Sequence, residues 1–190
     1  MKGRYDAIVI GCSSGGLEAL GRILPSLPPD FPLPLIVVMH MPQEDKSLLP
    51  EILGKKCRMP VVEATDKGNI APGAIYIAPP GYHLLVEGDE TFSLSVDPKV
   101  NMSRPSVDVL FETAADTYGD RLVALVLTGA NRDGSHGIIA VGAAGGLCMA
   151  QQPETAAASE MPAAAIATGK VNVVLALDEI AEFLVSLEIT

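Results

Sequence analysis

Short apolar segments alternate along the chain with stretches of helical periodicity. Several of these segments are apolar at nearly every position, which is typical of strands buried on both faces. Strands are predicted at residues 7–10, 35–38, 60–63, 74–78, 122–127, 147–150 and 171–174. Between them, apolar side chains recur every three or four residues, which predicts helices. Helices are expected at residues 17–24, 47–55, 105–118, from about 135, and at 180–187.

The segment from residue 74 to residue 96 contains a different pattern. Residues 83–86 and 92–96 are extended, and Gly88-Asp89 between them is a turn sequence, so an antiparallel hairpin is predicted there. Elsewhere the alternation of strands and helices indicates a parallel sheet covered on both faces. The predicted fold is α/β: a doubly wound, mostly parallel sheet with helices on both faces and an appended antiparallel β-hairpin. Residues 1–190 are expected to form a single domain.

Charge and composition narrow the class of function. Thirteen Lys and Arg against twenty-three Asp and Glu give a formal net charge of −10, which argues against nucleic-acid binding. No secretory signal begins the chain, and the uncharged residues 134–153 contain too many glycines for a membrane span. Three cysteines cannot all pair, and the spacing of Cys and His fits no metal site. We expect a soluble, reduced, cytoplasmic protein.

The loop after the first predicted strand, Gly11-Cys12-Ser13-Ser14-Gly15, carries the clearest chemical pattern. It lacks the lysine of a phosphate loop, and a dinucleotide fingerprint needs glycine where Ser13 stands. It matches G-x-S-x-G, a strand-to-helix elbow that holds a nucleophilic serine at a strained tip. A turn that merely joins strand to helix is the alternative. Cys12 is expected to be a small core residue.

A serine nucleophile needs a base and a group that orients this base. His40 follows the second predicted strand, on the edge where Ser13 lies, whereas His83 begins the hairpin and His136 lies in the first turn of a helix. Asp133 follows another strand, so three strand ends supply Ser, His and Asp. Two structural alternatives stay open for Asp133, which is also typical of a turn or of the N-cap of the helix that follows.

At these residues the chain resembles the catalytic domain of CheB-type protein-glutamate methylesterases of bacterial chemotaxis. The matching segments occur in the family's order and span roughly residues 6–185. They are residues 8–16, His40-Met41-Pro42, Ala71-Pro72-Gly73, Ile77-Ala78-Pro79, residues 104–111, Leu127-Thr128-Gly129, Asp133-Gly134, Ala150-Gln151 and Met161-Pro162.

The resemblance implies a serine hydrolase that removes methyl esters from glutamate side chains on the cytoplasmic helices of chemoreceptors and releases methanol. Some members also deamidate receptor glutamines. By the same resemblance, Ser13 is the nucleophile, His40 the general base and acid, and Asp133 the carboxylate that orients His40. No cofactor is expected, because acyl transfer through a serine ester uses only protein groups. Many members carry a receiver domain, and we expect none in this chain, because the first predicted strand begins at residue 7. Two alternatives stay open: a freestanding esterase, or a domain excised from a longer protein, with the receiver separate or missing.

Further residues around the three are expected to bind the substrate or the oxyanion of the intermediate. The backbone N–H of Ser14 is the natural first donor. The others are Gly15, Met41, Ala130, Asn131 and Arg104. A basic rim that meets the acidic receptor is expected from Lys99, Arg104 and Arg132. The loop Ala130-Asn131-Arg132 departs from the sequence that the family usually has there, as do Ser103 and Glu160.

Two other classes of function stay open. One is a catalytically silent module of the same fold that binds a receptor or an adaptor. The other is a nucleotide- or phosphate-binding domain that uses the loop at residues 11–16, against which Ser13 and Glu18 count.

Overall fold

The computed structural model describes residues 5–41 and 47–187. Within these residues the chain forms nine strands and six α-helices. The strands are β1 (Ala7–Cys12), β2 (Leu35–Met39), β3 (Val61–Glu63), β4 (Ile75–Ile77), β5 (His83–Val86), β6 (Phe92–Ser95), β7 (Leu122–Val126), β8 (Leu147–Gln151) and β9 (Val173–Leu175). The helices are α1 (Gly16–Ile23), α2 (Leu49–Gly54), α3 (Val107–Tyr118), α4 (Ser135–Ala143), α5 (Glu160–Ala167) and α6 (Leu177–Ser186).

Seven strands form one sheet in the order β3-β4-β2-β1-β7-β8-β9, and every pair of neighbours in it is parallel. The strand order reverses at β1, because the chain adds β2 on one side of it and β7 on the other. Strands β5 and β6 form the separate antiparallel hairpin. The predicted doubly wound fold with an appended hairpin is confirmed.

Alternate residues of β1 face two different hydrophobic cores, as expected for a central strand. Ile8, Ile10 and Cys12 pack on the side covered by α1, α2 and α6. Ala7 and Val9 pack on the side covered by α3, α4 and α5. The sheet is therefore buried on both faces, and polar side chains that serve a reaction can lie only at its edges and ends.

Several details differ from the sequence prediction. The first strand was expected to end before Gly11, but it continues to Cys12, with Gly11 paired to Val38 and Val126. Helix α5 was not predicted, because its sequence of alanines and small side chains has no contrast between apolar and polar positions. Pro42, part of a family segment, lies outside the described residues.

The hairpin packs on α3 and brings the following loop to the sheet. The backbone N–H of Val86 in β5 donates to the Thr113 hydroxyl of α3 at 3.1 Å. The loop between β6 and α3 therefore lies beside the carboxyl ends of β1 and β2, where it carries Asn101 and Arg104. No helix within the described ranges 5–41 and 47–187 is both long and apolar enough to cross a membrane.

Candidate active site

Ser13 and His40 follow neighbouring parallel strands at the point where the strand order reverses. Cys12 pairs with Met39, and one residue further the His40 N–H donates to the Cys12 carbonyl at 3.0 Å. On the other side, the Ser13 N–H donates to the Thr128 carbonyl at 2.9 Å. Ser13 is thus fixed between the ends of β2 and β7, in the crevice where doubly wound sheets bind ligands.

The turn at Ser13 differs from the elbow that the sequence pattern predicts. The strain expected at the serine is not there: Ser13 has no positive φ, and the left-handed residue is Gly15, with φ of 80°. Glycine adopts this conformation without steric cost, so Gly15 rather than Ser13 reverses the chain into α1.

The same turn leaves two backbone donors available. Among the described residues, no hydrogen bond uses the N–H of Ser14 or of Gly15, whereas those of Ser13 and Gly16 are both occupied. The Thr128 hydroxyl donates to the Ser14 carbonyl at 2.8 Å and so fixes the orientation of this peptide segment. Two adjacent N–H groups suit an oxyanion better than a phosphate, for which loops offer a longer series of donors.

Gly129 approaches Ser13 closely from the end of β7. An ideal Cβ at Gly129 would overlap the Met161 side chain and would lie 2.9 Å from the Ser13 Cβ. The backbone here is held by α5, because the Met161 N–H donates to the Gly129 carbonyl at 2.9 Å. Only glycine lets this strand end lie against the serine. The N–H of Ala130 follows directly, and no hydrogen bond uses it within residues 5–41 and 47–187.

His40 and Asp133 form a buried pair. His40 Nε2 lies 2.7 Å from Asp133 Oδ2, and the exposed fractions of the two side chains are 11% and 0%. The Asp133 carboxylate also accepts from the Asn101 amide, the Ser106 hydroxyl and the backbone N–H of Val107 and Asp108, at 2.7–3.1 Å. A carboxylate with this many donors is held ionised and immobile.

The pKa of Asp133 reflects two opposed effects. Burial alone raises it, but the hydrogen bonds from His40, Val107, Asn101 and Ser106 outweigh burial and lower the pKa to about 2. The neighbouring Asp108 has the opposite shift: burial raises its pKa, bonds from Gly137 and Asn101 lower it, and the charge of Asp133 raises it. One amide, that of Asn101, donates to both carboxylates, at 3.0 and 2.7 Å.

Of the two structural alternatives for Asp133, the structure confirms the turn and contradicts the N-cap of the helix that follows. Helix α4, which follows it, has Gly134 as its N-cap, without a side-chain cap. The Asp133 carboxylate instead accepts the N–H groups of Val107 and Asp108 in the first turn of α3. Asp108 in turn accepts the N–H of Gly137 in α4 at 2.8 Å. Asp133 therefore lies in a turn, in which the Ser135 N–H donates to the Arg132 carbonyl at 3.2 Å, but its side chain caps the first turn of α3 and not its own helix.

Asn131 contacts His40 on the ring nitrogen opposite to Asp133. Its Nδ2 lies 3.1 Å from His40 Nδ1, and its Oδ1 accepts the backbone N–H of Asp133 at 3.0 Å. In the described structure no hydrogen bond joins the Ser13 hydroxyl to His40, whose two ring nitrogens both have other partners.

A cleft of about 170 Å³ opens beside this pair. It is lined by His40, Met41, Lys99, Met102, Ser103, Arg104 and Pro105. Arg104 Nη1 donates to the carbonyls of Val96 and Asp97 at 2.6 and 2.9 Å, which holds the guanidinium at the rim. Arg132 lies apart from the other two cations of the predicted rim, since it lines a second cavity with His136.

The remaining candidate groups have structural surroundings. His83 is buried, with Nε2 3.0 Å from the Pro98 carbonyl and Nδ1 accepting the Ser106 N–H at 3.2 Å. His136 lies in the first turn of α4, as predicted. Cys12 is fully buried, and burial raises the pKa of its thiol to about 12, which makes it a poor nucleophile.

Four residues that serve this site were not found from the sequence as separate candidates. Asn101 and Ser106 bond to Asp133, while Thr128 and Gln151 order the end of β7, with the Gln151 Oε1 accepting the Thr128 N–H at 3.0 Å. Ser106, Thr128 and Gln151 belong to segments that resemble the family, which was the one signal available. Asn101 belongs to no such segment. It lies in a loop, and its own backbone is left-handed, with φ of 49°.

Comparison with known proteins agrees with this geometry. A family profile described as "CheB methylesterase" matches residues 8–184. A Leptospira interrogans protein named "Putative protein-glutamate methylesterase/protein-glutamine glutaminase" is 46% identical over 184 residues, which cover 97% of this chain and 95% of that protein. A Clostridium acetobutylicum protein named "Protein-glutamate methylesterase/protein-glutamine glutaminase" is 35% identical and matches 96% of this chain, but only 53% of its own length.

A solved structure extends the likeness to three dimensions. The crystal structure of the Thermotoga maritima CheB methylesterase catalytic domain matches with a TM-score of 0.93 and 36% identity, over 96% of this chain and 98% of that one. The profile match runs through all three strand ends that carry Ser13, His40 and Asp133. The chain therefore belongs to the CheB methylesterase family.

Proposed function

We propose that this chain is a cytoplasmic serine hydrolase that removes methyl esters from glutamate side chains of chemoreceptors, with Ser13, His40 and Asp133 as its catalytic triad. The observation that carries the proposal is the buried His40–Asp133 pair. His40 lies one residue beyond the pairing of β1 with β2, and Ser13 follows the same end of β1. Family membership supports the ester substrate, since relatives are named for protein-glutamate methylesterase activity.

The reaction proceeds through an ester of Ser13. His40 takes the proton of the Ser13 hydroxyl while the oxygen attacks the carbonyl carbon of the methyl ester. The C–O bond to the methoxy group then breaks, and methanol leaves with the proton that His40 returns. Water next attacks the acyl-Ser13 ester, again with His40 as base, and frees the glutamate carboxylate and the serine hydroxyl.

Asp133 keeps the His40 ring in one orientation and stabilises the imidazolium that forms in each step. The tetrahedral intermediate carries a negative oxygen, which the unbonded N–H groups of Ser14, Gly15 and Ala130 stabilise. The same sequence of steps on a glutamine amide releases ammonia in place of methanol. This agrees with the glutaminase activity in the names of the Leptospira and Clostridium relatives.

The two cations of the cleft support an acidic receptor as the partner. Lys99 and Arg104 line the cleft together with His40, although the whole chain has a net charge of −10. Methylation neutralises the target glutamate, so the ester itself enters without a charge, while unmodified carboxylates nearby meet the two cations.

The test is methanol release from membranes that contain methylated receptor. His40→Ala is expected to lower the rate by about 10⁴-fold or more, because the hydroxyl of Ser13 loses its base. His136→Ala is the matched control and is expected to stay near the wild-type rate, since His136 lies on α4 in a different cavity. Equal losses in both variants would contradict the assignment of the base. Binding to the membranes without any release would indicate a silent module.

A further inference from the structure

Asp133, Asn131 and His40 are joined in a closed ring of hydrogen bonds. The Asp133 backbone N–H donates to Asn131 Oδ1 at 3.0 Å, Asn131 Nδ2 lies 3.1 Å from His40 Nδ1, and His40 Nε2 lies 2.7 Å from Asp133 Oδ2. The ring begins and ends on the same aspartate, with its carboxylate at one end and its backbone at the other.

This ring assigns the proton on His40. A backbone N–H can only donate, so the atom of Asn131 that faces Asp133 must be the carbonyl oxygen, and the atom that faces His40 must be the NH₂ group. His40 Nδ1 therefore accepts a hydrogen bond. The proton of the neutral imidazole then lies on Nε2 and points at the Asp133 carboxylate.

The lone pair on Nδ1 is the only one left for Ser13, and Asn131 already occupies it. We propose that Asn131 is a positioning residue that holds the base of the free enzyme in an unavailable state, and that its amide must leave Nδ1 before Ser13 can transfer its proton there. This inference rests on the proposed function, because it assumes that His40 is the base for Ser13.

The position of Asn131 allows such an exchange. It lies half-buried between the exposed residues Ala130 and Arg132, and in the part of the chain that the structure describes its side chain forms only the two hydrogen bonds of the ring. A substrate that binds beside Ala130 would contact this loop and move the amide. The Ser13 hydroxyl would then replace the Asn131 amide on Nδ1, so that one neutral hydrogen bond is exchanged for another.

The experiment measures kcat and KM for methanol release from methylated receptor membranes. Asn131→Ala removes the competing donor and is expected to raise kcat/KM by about three- to tenfold, the value of one neutral hydrogen bond. Asn131→Asp, which presents an acceptor to Nδ1 and favours a protonated ring, is expected to lower kcat/KM below the wild-type value. Asn69→Ala is the control, because Asn69 is an exposed asparagine that takes part in none of the contacts described for the site. It is expected to change neither kcat nor KM.

A residue that merely supported the fold would give a different pattern, since both Asn131 variants would then be slower. An Asn131→Ala enzyme that is as slow as or slower than the wild type, while release still depends on Ser13, would overturn this inference alone. Absence of Ser13-dependent release in every variant would overturn the proposed function and, with it, the inference. Nitrogen-15 NMR of the free wild-type enzyme is expected to show His40 protonated at Nε2; protonation at Nδ1 would also overturn the inference.

Discussion

Replacement of Asp133 by asparagine tests how the buried carboxylate supports both the fold and the site. In the wild type, Asp133 Oδ2 accepts from His40 Nε2 and the Val107 N–H, and Oδ1 accepts from the other three donors, including the Asp108 N–H. An asparagine has one oxygen and one NH₂ group. In either orientation its NH₂ group faces a backbone N–H of α3 that can only donate.

The cost follows from these contacts. A buried donor left without an acceptor costs about 1–3 kcal/mol. The same hydrogen bonds lower the Asp133 pKa from 3.8 to about 2, which corresponds to roughly 2 kcal/mol, so the two figures overlap and are not added. Loss of the negative charge also removes the repulsion between Asp133 and Asp108, which together with burial raises the Asp108 pKa. This offsets part of the cost. We expect Asp133→Asn to lower the free energy of unfolding by about 1–3 kcal/mol at pH 7.

The effect of Asp133→Asn on the free energy of unfolding is expected to depend on pH. A carboxyl whose pKa is lower in the folded state stabilises the fold above its unfolded pKa, near 4, and this contribution is lost as the pH falls through about 2. The stability difference between the wild type and Asp133→Asn is therefore expected to shrink between pH 5 and pH 2. The chain has no tryptophan, so urea unfolding is followed by far-UV circular dichroism at several pH values.

Asp116→Asn, on the exposed face of α3, is the control for a change of charge without buried contacts. It is expected to change the free energy of unfolding by less than about 0.5 kcal/mol. A difference between wild type and Asp133→Asn that stays constant from pH 5 to pH 2 would refute the role given to the ionised carboxylate. So would equal effects of the two substitutions at pH 7.

Three further predictions concern other parts of the site. Gly129→Ala is expected to lower stability by about 1–3 kcal/mol through overlap with Met161 and to lose activity, as measured by unfolding and methanol release. Wild-type activity in Gly129→Ala would contradict the close approach to the serine. A thiol reagent on the native protein is expected to modify the half-buried Cys57 and to leave Cys12, with its raised pKa, intact; mass spectrometry that finds both modified would refute this. Lys99→Ala is expected to raise KM and to weaken the salt dependence of KM, whereas an unchanged salt profile would remove Lys99 from the receptor contact.

The convergence of the site could be predicted from the sequence because it follows from strand ends. Ser13 and His40 follow within three residues of apolar segments that are typical of buried parallel strands, and such strands end on one edge of the sheet. The partners of Asp133 could not be predicted in this way. Asn101 reaches it from a loop with left-handed backbone, and a loop conformation of this kind has no periodic signature in the sequence.

The two errors about local backbone have physical reasons as well. The G-x-S-x-G pattern predicts strain at Ser13, but Gly15 provides the left-handed residue, so the serine is not strained. Strand β1 was expected to stop before Gly11, although a central strand between β2 and β7 is held by backbone hydrogen bonds that glycine forms as well as any residue. Despite both errors, the predicted position of Ser13 at the end of the first strand agrees with the structure.

The most direct measurement compares methanol release from methylated receptor membranes by the wild-type chain and by Ser13→Ala, with circular dichroism to show that both are folded. We predict release by the wild type and a loss of about 10⁴- to 10⁶-fold in Ser13→Ala. Release by a folded Ser13→Ala variant at the wild-type rate would contradict the assignment of Ser13 as the nucleophile.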